Sequence, residues 1–396
     1  MMMLFALLLT AASAFAPAPA PKATCSLRAA SDWIAAGYDE QLAARLVGSG
    51  LDAPTPIQAA CFRALAAGGD GVVHAETGSG KTLAYAAPLA RGGRRVVVVA
   101  PGLPLVAQIR RVLDASLGAA AERFVVATPK QLIATRVDDA DVVVLDEADA
   151  LLRPAGKYAS AETKARKRER PAAKCLRRLV EANPEAQVVA ASATVGRPLR
   201  REIDGIVRGA APVFAEKRPS IPVLRATAPT TGRAVSAPAP LRHVVAPFWD
   251  KRTGGAPSDD ALTTLADALA ALGGEHALVV LQDGDVGRTV RFLEGAGHAA
   301  ADLATVLGGV DAVPVAAARD VRGLDLPGVS CVVSVGRPRS CDEYLHVAGR
   351  TARAGKGGLA VSLADHGDAR IIRSWASQLD VAFETAEDAG ALGKFD

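Results

Sequence analysis

The feature that most constrains this sequence is one eight-residue loop pattern, Ala75-Glu76-Thr77-Gly78-Ser79-Gly80-Lys81-Thr82. It follows the apolar run 71–74, which predicts a short buried strand, and it leads into residues 82–89, which predict a helix. A glycine-rich loop between a strand and a helix points backbone N–H groups and the helix N-terminus at phosphates. The pattern therefore predicts a nucleotide site in which Lys81 reaches the outer phosphates and the Thr82 hydroxyl ligates Mg²⁺.

An acidic tetrapeptide, Asp146-Glu147-Ala148-Asp149, follows the apolar run 142–145, which predicts another buried strand. Open α/β sheets bind ligands at the carboxyl ends of their strands. Asp146 can hold Mg²⁺ there, and Glu147 can orient and deprotonate a water molecule. Such a tetrapeptide is commonly a solvated turn, but its position after a valine-rich strand and downstream of the phosphate loop favours a site.

Strands and helices alternate along the chain, which predicts an α/β fold of two tandem domains, each a parallel sheet flanked by helices. Further buried strands are predicted at residues 96–99, 124–127, 188–191, 277–281, 313–316 and 331–335. Residues 32–50 have the spacing of a single helix. We expect a presequence at 1–30, a first domain at 31–225, a linker at 226–241, a second domain at 242–385 and a tail at 386–396.

The first 30 residues predict a targeting segment that lies outside the fold. The apolar run 4–9 is too short to span a bilayer, and Ala12-Ser13-Ala14 is a small-residue cleavage site. The following Ala-Pro alternation resembles the signal-plus-transit presequence of algae whose plastid lies inside extra membranes. We therefore expect a plastid protein without a membrane span in its mature form, with the secretory pathway or the mitochondrion as alternatives. A Lys/Arg-bearing chain whose five cysteines form no even framework argues against secretion, and the lack of a C-x-x-C pair favours reduced thiols without a metal.

Composition restricts how the chain could bind nucleic acid. Only 4% of the residues are aromatic, so stacking platforms for bases are scarce, and the net charge of +4 indicates little by itself. A basic run at residues 157–178 is the strongest local charge. Such a run is most often a solvated face, and the alternative is a phosphate-binding patch.

Six short patterns together resemble the DEAD-box RNA helicases, over roughly residues 33–363. In the first half they are the Q motif at Pro54 to Gln58, motif I at Ala75 to Thr82, the DEAD sequence at Asp146 to Asp149, and motif III at Ser192-Ala193-Thr194. In the second half, Arg322-Gly323-Leu324-Asp325 matches the end of motif V, and His346 with Gly349-Arg350-Thr351-Ala352-Arg353 matches motif VI. The combination is far more specific than any one of these patterns.

The resemblance implies an ATP-dependent RNA helicase or RNA-remodelling ATPase with two RecA-like domains and with ATP and Mg²⁺ as cofactors. The implied catalytic residues are Lys81, Asp146, Glu147 and the arginine fingers Arg350 and Arg353. Further ATP contacts are implied for Trp33, Gln58, Gly323 and Asp325, and coupling between the domains for Ser192, Thr194, Asp149 and His346. The implied partner is single-stranded RNA or a short duplex, bound along its phosphates without reading sequence, with a ribonucleoprotein assembly as a further expectation.

The sequence departs from the family pattern at positions that would contact RNA. Gly102, Leu103 and Pro104 replace Thr-Arg-Glu in motif Ia, and Lys130 with Gln131 replaces Gly-Arg in motif Ib. Motif V opens with three alanines, Val347 replaces an arginine of motif VI, and the segment 298–313 is short and lacks the Gln-x-x-Arg element. Weak RNA contacts are expected from Pro101, Gly102, Gln108, Thr128, Pro129, Lys130 and Arg322.

These losses favour an ATPase whose RNA binding is weak or relocated to the basic run 157–178, because each lost cationic contact weakens phosphate binding. The alternative is a degenerate family member that acts as a nucleotide-dependent RNA-binding clamp or assembly factor with little unwinding. A phosphate-loop ATPase acting on DNA or protein is disfavoured, since the Q motif and the DEAD sequence occur together in the RNA family.

Overall fold

A computed structural model of the chain shows two compact units, one before and one after the boundary at residues 235 and 236. The described residues are 26–75, 78–137, 139–152, 160, 162, 169–209, 221–225, 241–248, 257–272, 276–326, 328–352 and 357–385. None of the helices among these residues is long and apolar enough to cross a membrane. Residues 1–25 of the predicted presequence and most of the basic run 157–178 lie outside the described residues, whereas residues 26–30 belong to the first helix.

The first unit is built on a six-stranded parallel sheet with the strand order β3-β2-β4-β5-β1-β6. Its strands are β1 (Gly71–His74), β2 (Val96–Val99), β3 (Phe124–Ala127), β4 (Val142–Asp146), β5 (Gln187–Ser192) and β6 (Val223–Leu224). The valine-rich runs of β2 and β4 are wholly buried, as expected for strands that helices cover on both faces.

Nine helices are described in this unit, with short 3₁₀ turns at Arg91–Gly93 and Gly118–Arg123. They are α1 (Ser26–Ala35), α2 (Glu40–Gly48), α3 (Pro56–Ala66), α4 (Lys81–Leu89), α5 (Leu103–Leu117), α6 (Pro129–Thr135), α7 (Ala148–Leu152), α8 (Pro171–Ala182) and α9 (Arg197–Gly209). One hydrophobic core joins the sheet to α8 and α9, through residues such as Val143, Val188, Leu176, Leu179 and Ile203.

The second unit is built on a seven-stranded parallel sheet with the order β13-β7-β12-β11-β8-β10-β9. Its strands are β7 (Leu241–Phe248), β8 (Ala277–Leu281), β9 (Ala300–Asp302), β10 (Val313–Ala317), β11 (Cys331–Val335), β12 (Gly358–Asp365) and β13 (Phe383–Thr385). Its described helices are α10 (Asp259–Ala271), α11 (Val286–Gly295), α12 (Leu303–Leu307), α13 (Cys341–Ala348), α14 (His366–Ser374) and α15 (Ala376–Leu379). The prediction of two parallel sheets flanked by helices is confirmed.

The prediction of one helix over residues 32–50 is wrong, because the chain turns between α1 and α2. Gly37 has φ +106°, a conformation that strains any residue with a side chain. Asp39 then starts α2 as its N-cap, and its carboxylate accepts a hydrogen bond from the N–H of Leu42. The helical spacing of the apolar residues continues through this turn, so spacing alone does not reveal the break.

Candidate nucleotide-binding site

The phosphate loop connects β1 to α4, as its sequence predicts. Gly78 and Gly80 have φ of +80° and +84°, and a Cβ on Gly80 would collide with the amide nitrogen of Gln58. Only glycine suits position 80, because the residue there needs both a positive φ and room for the close approach of Gln58. Lys81 is buried, and its Nζ donates to the carbonyl of Ala75 over 3.0 Å, so the ammonium group lies across the loop. Glu76 and Thr77 lie outside the described residues.

The start of α3 braces this loop from the side. The Thr55 hydroxyl donates to the Ser79 carbonyl over 2.8 Å, and Gln58 Nε2 donates to the Gly80 carbonyl over 3.3 Å. Gln58 Oε1 also accepts from the N–H of Thr55 over 2.8 Å. A carboxamide has two N–H donors and two lone pairs, so the predicted adenine contact can use one donor and one lone pair that these bonds do not use.

The acidic residues of the site follow β4. Asp146 is buried, and its Oδ1 and Oδ2 accept hydrogen bonds of 2.9 Å from the N–H of Glu147 and the hydroxyl of Tyr85. Burial, and next the charge of Glu147, raise the pKa of Asp146 to about 6. Glu147 itself has φ +53°, a strained conformation for a residue with a side chain. Backbone strain of this kind is concentrated at functional sites, where the surrounding structure holds it in place.

The Ser192-Ala193-Thr194 segment binds the acidic segment within the first unit. The Ser192 hydroxyl lies 2.9 Å from Asp149 Oδ1 and accepts from the N–H of Thr194 over 3.0 Å. His74, at the end of β1, lies 3.1 Å from the Ala193 carbonyl through its Nε2. Because β4, β5 and β1 are neighbours in the sheet, their carboxyl ends bring the phosphate loop, the acids and this segment together. We call these three strand ends the nucleotide edge.

Trp33 does not have the position predicted for it. Its side chain is fully buried, its ring meets the edge of Tyr38 at 4.7 Å, and its Nε1 donates to the Leu51 carbonyl over 2.9 Å. A ring without exposed area has no face to offer to a nucleobase. The predicted contact with adenine is therefore corrected, since in this structure the indole is a core group that ties α1 to the loop before α3.

The neighbouring ends of β2 and β3, which we call the β2–β3 edge, hold the residues of the first unit that are predicted to contact RNA weakly, whereas Arg322 lies in the second unit. Residues 100–104 and 128–131 contain one cation, the exposed Lys130. Leu103 is 60% exposed, where the family pattern has an arginine. Of the other predicted contacts, Gln108, Pro101, Gly102 and Thr128 are half-buried, and Pro129 is buried. Thr128 caps α6 with its side chain.

The described part of the basic run 157–178 has structural contacts. Lys174 Nζ pairs with Glu169 over 2.8 Å, an exposed ion pair of small energetic value. Arg178 donates to the carbonyls of Leu132 and Val137 over 2.9 and 3.0 Å, which binds α8 to the end of α6. The remainder of the run is outside the described residues, so the relocated RNA site stays a prediction.

In the second unit, Arg350 links the two predicted motif segments to each other. Its guanidinium donates to the carbonyl of His346 over 2.8 Å through Nε, and to the carbonyl of Leu324 through one terminal nitrogen. The end of α13 is thereby bound to the loop that holds Arg322, Gly323 and the exposed Asp325. Arg353 lies outside the described residues.

The sequence motifs do not predict two contacts of the nucleotide edge. They are the hydrogen bonds from Thr55 to Ser79 and from Tyr85 to Asp146. Tyr85 stands three residues after Thr82 and four after Lys81, which places all three on one face of α4. That spacing is the signal in the sequence that could have identified Tyr85.

Comparison with known proteins gives consistent matches in both units. A family model described as DEAD/DEAH box helicase matches residues 55–201, and one described as Helicase conserved C-terminal domain matches residues 315–355. The ATP-dependent RNA helicase DBP3 of Phaeosphaeria nodorum is 28% identical over 84% of this chain, which spans 60% of that relative. The ATP-dependent RNA helicase DBP8 of Meyerozyma guilliermondii is 26% identical over 89% of this chain and 87% of the relative.

Solved structures show the same fold at low sequence identity. Dbp5 of S. cerevisiae bound to RNA and ADP BeF3 has a TM-score of 0.69 at 18% identity, covering 90% of this chain and 96% of that one. Mss116p bound to ssRNA and AMP-PNP has a TM-score of 0.68 at 17% identity, covering 93% of this chain and 81% of that one. These likenesses concern the fold.

Proposed function

Because the chain belongs to the DEAD-box helicase family, we propose that it is an ATP-dependent RNA helicase or RNA-remodelling ATPase. The observation that carries the proposal is the nucleotide edge, where three adjacent strands bring together Lys81, Thr82, Asp146, Glu147 and the Ser192–Thr194 segment. These groups supply phosphate binding, metal binding and water activation, which are the chemical tasks of ATP hydrolysis.

The donor set of this edge fits Mg²⁺. Thr82 offers a hydroxyl and Asp146 a carboxylate, and hard cations of this kind prefer oxygen ligands. The raised pKa of Asp146 marks a buried carboxylate whose charge the protein does not fully compensate, which a bound cation would do. When bound, Mg²⁺ would supply charge neutralisation on the phosphate oxygens.

The remaining steps belong to residues of the chain itself. Lys81 would exchange the Ala75 carbonyl for phosphate oxygens, and Glu147 would orient the attacking water and accept its proton. Arg350 and Arg353 would stabilise charge on the transferred phosphoryl when ATP and RNA bring the two domains together. Such arginine fingers are worth about 10³–10⁵ in rate in related enzymes. In taking this role, Arg350 would give up its carbonyl acceptors.

RNA is the proposed substrate, since the relatives are named RNA helicases and the similar structures hold RNA. The single cation on the β2–β3 edge favours weak binding there. The same observation favours the second candidate, a nucleotide-dependent RNA clamp or assembly factor with little unwinding. Membership of a ribonucleoprotein assembly is part of either proposal.

Steady-state ATPase activity, with and without single-stranded RNA, tests the proposal. The protein to use lacks its first 25 residues, so that α1 stays intact. Strong stimulation by RNA, together with unwinding of a short duplex, is the result expected for a helicase. Stimulation without unwinding would favour the clamp. Turnover that ignores RNA would contradict both candidates and indicate a different partner.

The plastid location is a separate proposal and rests on the presequence pattern at residues 12–22 alone. A fluorescent protein fused behind residues 1–30 and expressed in an alga with a complex plastid is expected to enter the plastid. Entry into the mitochondrion, or export through the secretory pathway, would contradict the proposal.

A further inference from the structure

Tyr85 is a buried phenol at the centre of the nucleotide edge. It lies in the second turn of α4, has no exposed area, and donates its hydroxyl hydrogen to Asp146 Oδ2 over 2.9 Å. The other carboxylate oxygen of Asp146 is held by the N–H of Glu147. The carboxylate is therefore fixed at both ends, once by the backbone and once by Tyr85.

The oxygen of Tyr85 also has a partner on its own helix. Thr82 stands three residues earlier, on the same helix face, and hydrogen bonding from its hydroxyl partly opposes the burial that raises the pKa of Tyr85. A threonine hydroxyl has one hydrogen and two lone pairs, and a metal ligand must offer a lone pair. If Tyr85 accepts the hydrogen of Thr82, the lone pairs of Thr82 are available to a cation.

We propose that Tyr85 is a positioning residue that sets the orientation of both Mg²⁺ ligands, Thr82 and Asp146. It accepts a hydrogen from one and donates its own to the other, so both ligand oxygens are held with lone pairs available. This inference rests on the proposed function, because that proposal identifies the ligand as Mg²⁺ together with a nucleotide. Hydrogen-bond partners of metal ligands orient them in this way, and their loss typically costs 10–100-fold in metal affinity.

The test is Tyr85→Phe in the full chain, which removes one oxygen and keeps the buried ring. The probe is a fluorescent ADP, titrated with Mg²⁺ and also bound in the presence of chelator, with Mn²⁺ binding followed by electron paramagnetic resonance. We expect the apparent metal affinity to fall 10–100-fold, with little change in ADP affinity in chelator. Tyr344→Phe is the matched control, because Tyr344 is also buried and bonds His243 Nδ1 through its hydroxyl, in the second unit.

A double-mutant cycle tests whether Tyr85 acts through Thr82. In a Thr82→Ala background, the effect of Tyr85→Phe on metal affinity is expected to shrink, since one of the two oriented ligands is already lost. This cycle remains informative if Tyr85→Phe lowers stability. The loss of stability is then present in both backgrounds, so it cancels when the two effects on metal affinity are compared.

Three results would overturn the inference. They are wild-type metal affinity in Tyr85→Phe, an equal loss of ADP affinity with and without metal, and fully additive effects in the cycle. Wild-type protein that binds Mg²⁺ with ADP but does not respond to RNA would contradict the proposed function and leave the role of Tyr85 intact. Wild-type protein without any metal-dependent ADP binding would overturn both.

Discussion

The nucleotide edge and the β2–β3 edge lie side by side on one sheet and differ in chemistry. Both consist of strand ends followed by helices. At the nucleotide edge, Lys81 begins α4, Asp146 ends β4 and Glu147 precedes α7, and the backbone is left-handed at Gly80 and Glu147. At the β2–β3 edge the described residues 100–104 and 128–131 carry one cation and an exposed leucine.

The difference shows which residues the fold itself requires. Helix α6 starts with a capping box in which Thr128 and Gln131 satisfy each other's backbone groups, and this needs no charge. The β2–β3 edge can therefore keep its structure without cationic residues that would contact phosphates. At the nucleotide edge, by contrast, the buried acid and the strained backbone are costly to stability, so their presence indicates chemistry.

The largest expected effect is on turnover, from Glu147→Gln at the nucleotide edge. Loss of a general base should lower kcat by about 10²–10⁴-fold. Nucleotide affinity should change little, because the amide has nearly the same shape. Glu181→Gln, on the exposed side of α8, is the control and should leave turnover unchanged. A loss of less than tenfold in steady-state ATPase would show that Glu147 does not activate the water.

The next largest effect is expected on stability, and it tests whether Trp33 is a core residue or a nucleotide contact. Trp33→Ala should lower the free energy of unfolding of the first unit by about 3–5 kcal/mol, as for other buried aromatic residues. Denaturant unfolding followed by circular dichroism measures this change. Trp375→Ala is the comparison, because this half-buried side chain of the second unit has less area to lose. If Trp33→Ala instead spared stability and weakened ADP binding, the adenine contact would be reinstated.

A third prediction uses the buried charge of Asp146. Its pKa is raised from 3.8 to about 6, so below pH 4 the folded and unfolded states are both protonated, and between pH 4 and 6 the folded state binds more protons. In metal-free protein, the stability of the first unit should therefore fall as the pH rises through this window, by about 3 kcal/mol relative to Asp146→Asn. Denaturant unfolding from pH 4 to 7 in chelator measures the difference. If the free energies of unfolding of the two proteins changed in parallel with pH, the ionised form of Asp146 would not destabilise the folded state.

The sequence predicts the parts of this molecule that local patterns determine. Uninterrupted valine runs identify β2 and β4, and the loop pattern identifies the strand–loop–helix around Gly80. Strand β7 could not be found in this way, because residues 241–248 combine Arg242, His243 and Pro247 with apolar residues and have weak periodicity. It is a strand because β12 and β13 pair with it on either side.

The candidate site divides in the same way. Residue types and spacing predict Lys81, Thr82, Asp146 and Glu147, since each is next to a strand end. Contacts between distant segments could not be predicted. One example is the hydrogen bond from the Trp33 indole to the Leu51 carbonyl. The guanidinium of Arg350 is a similar case, because its bond to the Leu324 carbonyl joins residues 26 positions apart.

The smallest effect, and the most direct test of the comparison, comes from restoring a cation to the β2–β3 edge. Leu103→Arg places a guanidinium at the exposed first position of α5. One added phosphate contact should make the slope of log affinity for single-stranded RNA against log salt more negative by about 0.7, and it should tighten binding at low salt. Fluorescence anisotropy between 50 and 200 mM salt, about the range over which phosphate contacts are lost, measures it. Leu51→Arg adds the same charge at another exposed leucine. An equal gain from both variants would show a general effect of net charge, whereas a gain confined to Leu103→Arg would identify the β2–β3 edge as an RNA surface that lacks its cations.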